Sequence, residues 1–347
     1  LAIKENLNCK KMWLDSLPEF IYLDNLKKKY NFVAKSYDFT TIVGEYDAPK
    51  KQEQGLFSLD LTNNNTLIYG QPGSGKENFI STLLYSLMIH HHPKEVNIYI
   101  ADFGAETLTV FNGMPHVGDT LVTSDVQKVD SLVKLLNKEY ERRKKKFVDY
   151  SGSYVEYNNN NTEKEPLMIV VLNAFESFQE SFSRNQEMFD ILFRDGAKYG
   201  ITFIVSTSVA NAVRNRVAQS FENKVCMKMA DDSIYRDLLN AERGLVPAAK
   251  YSRGVATVGE DVLEIQGAYI CEKEKINNTI RSTAKYLQDA YKMKAPKLPV
   301  LPDICKVEDV LFEMKDLTTI PIGIEINSLE VYVYDFLANK VNLVVAN

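Results

Sequence analysis

The sequence predicts an α/β fold, with a mainly parallel central sheet and helices on both faces. Three observations carry the prediction. Leu167-Met168-Ile169-Val170-Val171-Leu172 and Ile201-Thr202-Phe203-Ile204-Val205-Ser206 are near-continuous apolar runs of strand length. They lack the in–out alternation of a half-exposed strand, as expected of strands buried on both faces. Between such runs lie stretches with apolar residues at helical spacing, and strands alternating with helices build parallel sheets. The third observation is Gly70-Gln71-Pro72-Gly73-Ser74-Gly75-Lys76-Glu77, a glycine-rich segment set between a strand-like and a helix-like stretch.

The elements follow in order. Thr66-Leu67-Ile68-Tyr69 reads as the strand before the glycine-rich segment, and Phe79 to Met88 as the helix after it. Val96 to Ala101 is the next strand and ends at Asp102-Phe103-Gly104. A long helix is predicted over about Val126 to Tyr150, carrying Val129, Leu132, Val133, Leu135, Leu136, Tyr140 and Phe147 on its apolar positions. Ser151 to Glu165, rich in Asn, reads as a polar loop. The strand Leu167–Leu172, a helix over about Arg184 to Tyr199 and the strand Ile201–Ser206 complete the alternation.

Composition narrows the function classes. With 45% hydrophobic and 25% charged residues, the chain has the balance of a soluble globular protein long enough for one large domain or two ordinary ones. The net charge of −5 argues against a domain that coats nucleic acid. No apolar stretch approaches the roughly 18 residues a membrane span needs, and no signal-peptide pattern opens the chain. The start at Leu1 rather than Met suggests a fragment of something longer. Cys9, Cys226, Cys271 and Cys305 lie too far apart for a metal or redox motif, so they read as reduced thiols. His90-His91-His92 has no Cys or carboxylate beside it at ligand spacing, and no metal site is expected.

The segment 70–77 has the pattern of a P-loop at every position but the last. Such loops bind phosphate because consecutive backbone N–H groups converge at a helix N-terminus, where the dipole favours anions. Gly70, Gly73 and Gly75 permit the tight backbone, and Lys76 supplies a positive charge for the phosphates. Gln71, Pro72, Ser74, Glu77 and Asn78 complete the expected nucleotide-binding set. The final position should carry a hydroxyl for Mg²⁺, and Glu77 stands there instead. The other half of an ATPase site is an apolar strand ending in Asp and then Glu, which hold the metal shell and the attacking water. Here that strand ends in Asn173-Ala174, with Glu176 two residues late and expected to point elsewhere. No confident catalytic residue remains. Mg²⁺ is doubtful, whereas ATP is still a plausible ligand. Thr207, after the strand at 201–206, is a candidate γ-phosphate sensor, with a turn-capping hydroxyl as the plain alternative. Arg214 and Arg216 read as surface residues before arginine fingers. The basic run Arg142 to Lys146 spreads around a helix and reads as a solvated face.

Internal similarity adds an organisational expectation. Leu14 to Glu19 resembles Leu298 to Asp303, Thr41-Ile42-Val43-Gly44 resembles Ile320-Pro321-Ile322-Gly323, and Asn65 to Gly70 resembles Val341 to Ala346. Three matches in order point to one module over residues 1–295, with its core at about 40–275. On this reading residues 296–347 are a linker and the leading segment of a following, truncated module.

Together these residues resemble the FtsK/SpoIIIE-type P-loop ATPases, a RecA/FtsK-like fold, and within them the tandem ATPases of type VII secretion, the EssC/EccC group. Further motifs carry the resemblance: Trp13 to Glu19, Met114 to Asp119, Glu141 to Phe147, Tyr199-Gly200-Ile201, Arg253 to Gly259 and Leu263 to Ala268. The resemblance implies a membrane-anchored protein with three ATPase modules in series on the cytoplasmic face of the membrane, this being the middle one. It implies as partners the neighbouring modules, other secretion-system components and small helical-hairpin (WXG100-type) substrates, and a homo-oligomer, a hexamer, in the full assembly. No nucleic-acid partner is expected. Glu77, Asn173 and Ala174 depart from the pattern, so the expected function is a regulatory or structural module with little hydrolysis of its own. The alternatives are an active ATPase module of the same motor and a DNA translocase.

Overall fold

The structure, a computed structural model, describes residues 14–183, 186–300, 305–311, 318–325 and 331–338. Two compact units are distinguished, one of residues 1–125 and 133–297, the other of 126–132 and 298–347. Trp13, residues 301–303 of the segment that matches Leu14 to Glu19, and the matching segment at 341–346 lie outside the described residues.

In chain order the elements are α1 (Leu23–Lys29), β1 (Thr40–Ala48), β2 (Glu53–Asp60), β3 (Thr66–Tyr69), α2 (Lys76–His90), β4 (Val96–Asp102) and β5 (Val117–Leu121). There follow α3 (Val126–Lys146), α4 (Tyr154–Asn160), β6 (Leu167–Asn173), α5 (Phe175–Ser181), α6 (Gln186–Asp195), β7 (Ile201–Thr207), α7 (Asn215–Ala218), β8 (Asn223–Met227) and α8 (Ser233–Leu239). The last are β9 (Arg253–Val258), β10 (Asp261–Gly267), α9 (Ile276–Tyr291), β11 (Thr319–Ile324) and β12 (Val331–Asp335).

The large unit is built on a ten-stranded sheet in the order β2-β1-β10-β9-β8-β3-β7-β6-β4-β5. From β8 to β5 every pairing is parallel. From β8 to β2 every pairing is antiparallel. The expected parallel sheet is therefore present, extended by an antiparallel wing that joins the chain's early strands β1 and β2 to its late strands β9 and β10. All seven residues of β4, β6 and β7 are buried, as their unbroken apolar sequences require. The two faces have different cores. Ile204 belongs to the α2 side, with Phe79, Ile80, Leu83, Leu84 and Leu87. Its neighbour Phe203 points the other way and meets Phe189 and Phe193 of α6 at ring-centroid distances of 6.2 and 4.8 Å.

Three sequence expectations are corrected. Residues 151–165 are not all loop: α4 forms there, its N-terminus capped by Ser153 Oγ, which accepts from Glu156 N at 3.3 Å. Tertiary anchors override the Asn-rich sequence, because Tyr154 and Tyr157 are buried and Asn158 pairs with both backbone groups of Glu165. The helix expected to Tyr150 is α-helical only to Lys146, with a 3₁₀ turn at Val148–Tyr150, and α6 likewise ends at Asp195 before a 3₁₀ turn at Ala197–Tyr199. The basic run is a solvated face only in part: Arg142, Lys144 and Lys145 are exposed, but Arg143 is not. Arg143 is fully buried, donating to Tyr199 O at 3.0 Å, Gly200 O at 2.8 Å, Pro166 O at 2.8 Å and Glu139 Oε1 at 2.6 Å. Arg142 and Lys146 both clasp Glu165. Burial opposes ionisation of Glu165, but these cations prevail and hold its carboxyl down to about 2.

The second unit contains an antiparallel hairpin of β11 and β12, with a register shift between Pro321 and Gly323. β1 makes the same shift against β2, between Ile42 and Gly44. Among the described residues no helix is long and apolar enough to cross a membrane.

Candidate nucleotide-phosphate site

Because β3, β7, β6 and β4 are parallel neighbours, their C-terminal ends meet on one edge of the sheet, where α/β proteins bind ligands. That edge brings together the glycine-rich loop after β3, Thr207 and Ser208 at the end of β7, Asn173 to Glu176 at the end of β6, and Asp102 at the end of β4.

The loop is fixed at its start by Gly70 N donating to Thr207 O at 3.1 Å and Gln71 N to Lys228 O at 2.9 Å. Gly73 and Gly75 have φ of +77° and +100°, a backbone that only glycine adopts without strain. Gly75 has a second reason to lack a side chain: a Cβ there would lie 2.5 Å from Ser252 N. Ser252 is a residue the sequence reading missed. It is buried, itself at φ +58°, and clamps the loop from outside. Its N donates to Ser74 O at 3.0 Å and its Oγ to Gly75 O at 3.2 Å, while its own O accepts from Gly267 N at the end of β10. Asn78 joins this clamp, its amide donating to Ser252 Oγ and Ala268 O. The antiparallel wing thus braces the loop.

Lys76 opens α2 and is 5% exposed. Its Nζ donates to Gly70 O at 2.5 Å and, more weakly, to Gln71 O at 3.5 Å. Burial pushes its pKa below the ordinary lysine value, and the nearby carboxylates of Glu77 and Glu176 act against that shift. Ser74 Oγ is buried with no hydrogen-bond partner. Buried polar groups are rarely left unpaired, so an orphan hydroxyl in a loop of converging amides, beside a buried ammonium, fits a phosphate.

The opposite half of the site is closed on itself. Asn173 is 1% exposed, and its Nδ2 donates to Asp102 Oδ1 at 2.7 Å while its Oδ1 accepts from Ser206 Oγ at 2.5 Å. Asp102, also missed, is fully buried; its Oδ1 further accepts from Gly104 N and its Oδ2 from Leu108 N. Its sequence signal was an acid ending an apolar run. Ala174 takes φ +58° as it turns the chain into α5, and its N donates to Ser206 Oγ at 3.2 Å. Glu176 does not point elsewhere, which corrects the expectation from its spacing. Its Oε1 accepts from Ser208 N at 3.1 Å and from Ser208 Oγ. Thr207 Oγ1 donates to Val209 O at 3.1 Å and accepts from Val209 N at 3.0 Å, the geometry of a turn cap. Arg214 is exposed and paired with Asp190 at 3.0 Å. With Glu77 in place of the hydroxyl and both ends of the Asn173 amide engaged, the residues present fit Mg²⁺ poorly.

Comparison with known proteins agrees with this geometry. The FtsK/SpoIIIE family model matches residues 40–246. The chain belongs to the FtsK/SpoIIIE family. Membership implies nucleotide binding. Relatives of this chain are named as type VII secretion proteins. It is 23% identical over 353 residues to the type VII secretion system protein EssC of Staphylococcus aureus (strain MRSA252), covering 96% of this chain and 23% of that protein. The chain thus spans under a quarter of that relative's length. Among solved structures it is similar to EssC (ATPases 2 and 3) from Geobacillus thermodenitrificans, with a TM-score of 0.81 at 22% identity, covering 94% of this chain and 63% of the other. The cytoplasmic domain of the Thermomonospora curvata type VII secretion ATPase EccC follows at a TM-score of 0.76 and 22% identity, covering 94% and 40%.

Proposed function

We propose that this chain is a degenerate nucleotide-binding module of a membrane-anchored type VII protein-secretion motor, one that binds or stiffens more than it hydrolyses. The supporting observation is Asn173. It occupies the strand-end position of a catalytic Asp, yet its Nδ2 is held by Asp102, its one oxygen already accepts from Ser206, and it brings no negative charge to a metal shell. Ala174 beside it carries no group able to take a proton. The retained cradle of Gly70, Gly73, Gly75 and Lys76 is the half that holds phosphate.

The same reading makes residues 1–295 one module and 296–347 a linker and the start of another. The shared register shift supports it: Ile42–Gly44 of β1 and Pro321–Gly323 of β11 are the positions that align in sequence, and both bulge against the strand that follows. A bulge repeated at matching positions is a conformational feature, independent of the dipeptide likeness. In the motor this would be the middle module. Its partners would be the adjacent modules, secretion components and helical-hairpin cargo, within a hexamer at the cytoplasmic face of the membrane.

Turnover tests the reading. ATP hydrolysis by this chain should be at background, since losing the metal and water ligands removes orders of magnitude in rate. A robust rate that disappears in Lys76→Ala would overturn it in favour of an active ATPase. Strong DNA binding that weakens steeply with salt would favour a translocase.

A further inference from the structure

Glu176 is left over from the catalytic arrangement, and its surroundings give it a different use. One oxygen is held by the Ser208 N–H and hydroxyl at the end of β7. The other, Oε2, is buried with no hydrogen-bond partner. β7 is the strand beside β3, and Thr207, next to Ser208, accepts the hydrogen bond of Gly70 N, the first residue of the phosphate loop. The carboxylate therefore stands one strand from the cradle, within electrostatic reach of Lys76, while Glu77 flanks the same lysine from the helix. Burial opposes its ionisation, but the Ser208 hydroxyl and backbone amides outweigh burial and keep its pKa below the ordinary glutamate value. Lys76 is thus an ammonium within electrostatic reach of two carboxylates, in a site whose metal-binding half is closed.

We infer that this phosphate site selects a nucleoside diphosphate over a triphosphate, and that Glu176 is the residue that rejects the third phosphate. The inference rests on the nucleotide-binding reading above and adds its ligand. Loop amides and one lysine balance the charge of a diphosphate. A γ-phosphate would add negative charge within electrostatic reach of Glu176, and the closed Asn173 half offers it no charged metal ligand. At an effective dielectric of about 20, one opposed unit charge is worth roughly tenfold in affinity even at about 10 Å. A working ATPase uses Mg²⁺ to neutralise that charge. Here Asn173 and Glu77 leave Mg²⁺ poorly held, so the discrimination should persist with or without it.

The test is calorimetric titration of the chain with ADP and ATP, each with and without Mg²⁺, repeated in Glu176→Gln and Lys76→Ala. The expected result is ADP binding at least about tenfold tighter than ATP. Glu176→Gln should tighten ATP far more than ADP and bring the ratio near one, and Lys76→Ala should abolish both. Because Gln keeps the acceptor for Ser208, a merely structural role for Glu176 would move both nucleotides together. Equal affinities in the unaltered chain, or a ratio unmoved by Glu176→Gln, would overturn the inference while leaving nucleotide binding intact. Binding of neither nucleotide would overturn the nucleotide-binding reading, and this inference with it.

Discussion

The two halves of the phosphate edge are built from different materials. The cradle at 70–76 is backbone: its features are two left-handed glycines, a clamp by Ser252 N and Oγ, and a helix start. The half at 173–176 is side chains, a closed chain of Ser206 to Asn173 to Asp102. A backbone device tolerates substitution at most of its positions, because the amides persist whatever the side chain. A side-chain device is lost by changing one atom type. On the proposed reading, that asymmetry is how a loop would keep its phosphate geometry beside an edge that no longer supports hydrolysis.

The severest way to break the cradle is to give Gly75 a side chain. In Gly75→Ala the new Cβ would lie 2.5 Å from Ser252 N and 2.7 Å from its Cα, at a φ of +100°. Left-handed strain and forced displacement of buried backbone together should destabilise the fold by about 3–5 kcal/mol. Urea denaturation reads this directly, and a loss below about 1 kcal/mol would mean that Ser252 does not brace the loop.

How much of this was legible in the sequence follows the same division. The strands β3, β4, β6 and β7 were legible because burial on both faces leaves an unbroken apolar run. The wing was not: β2 alternates half-buried and buried positions, and β1 pairs with β10 more than 200 residues away, a pairing that no local window contains. The cradle was legible because glycine spacing encodes backbone geometry. Ser252 was not, since nothing in Tyr251-Ser252-Arg253 announces a left-handed serine lying against Gly75. Glu176 was misplaced because the spacing argument assumes a regular chain after β6, whereas Ala174 at φ +58° redirects it and delivers Glu176 to Ser208. Arg143 was misread as surface because its partners are carbonyls of Pro166, Tyr199 and Gly200, acceptors invisible to charge counting.

Restoring the missing carboxylate sharpens the comparison. If the side-chain half had merely lost an acid, Asn173→Asp would recover hydrolysis. The structure instead sets Asn173 Nδ2 2.7 Å from Asp102 Oδ1, so the variant opposes two buried carboxylates. We expect no gain in ATP turnover and a destabilisation of about 2–4 kcal/mol at neutral pH. Repulsion raises a folded-state carboxyl pKa above its unfolded value, so the penalty is present at neutral pH. It should disappear once the unfolded carboxyls are also protonated, below about pH 4. Denaturation curves of both proteins from pH 7 to pH 3 test this, and a gap that fails to close would mean the two acids do not face each other.

The mildest test asks what the cradle costs when empty. Lys76 is 5% exposed, and burial sets its folded pKa below the ordinary lysine value, so its charged form is disfavoured in the folded chain. A lysine lowered on folding destabilises fully below its folded pKa. The penalty falls as pH rises through that value and is gone above the unfolded value of about 10.4. Lys76→Met, which fills similar volume without charge, should therefore raise stability by about 1 kcal/mol at pH 7 while abolishing phosphate binding, as expected where binding residues are held at the expense of stability. The difference from the unaltered chain should hold while Lys76 stays charged, shrink as pH rises through its lowered folded pKa, and vanish above about pH 10.4. Lys76→Met proving less stable at pH 7 would instead show that the hydrogen bond to Gly70 O outweighs the buried charge, making Lys76 a structural strut of the loop as much as a ligand for phosphate.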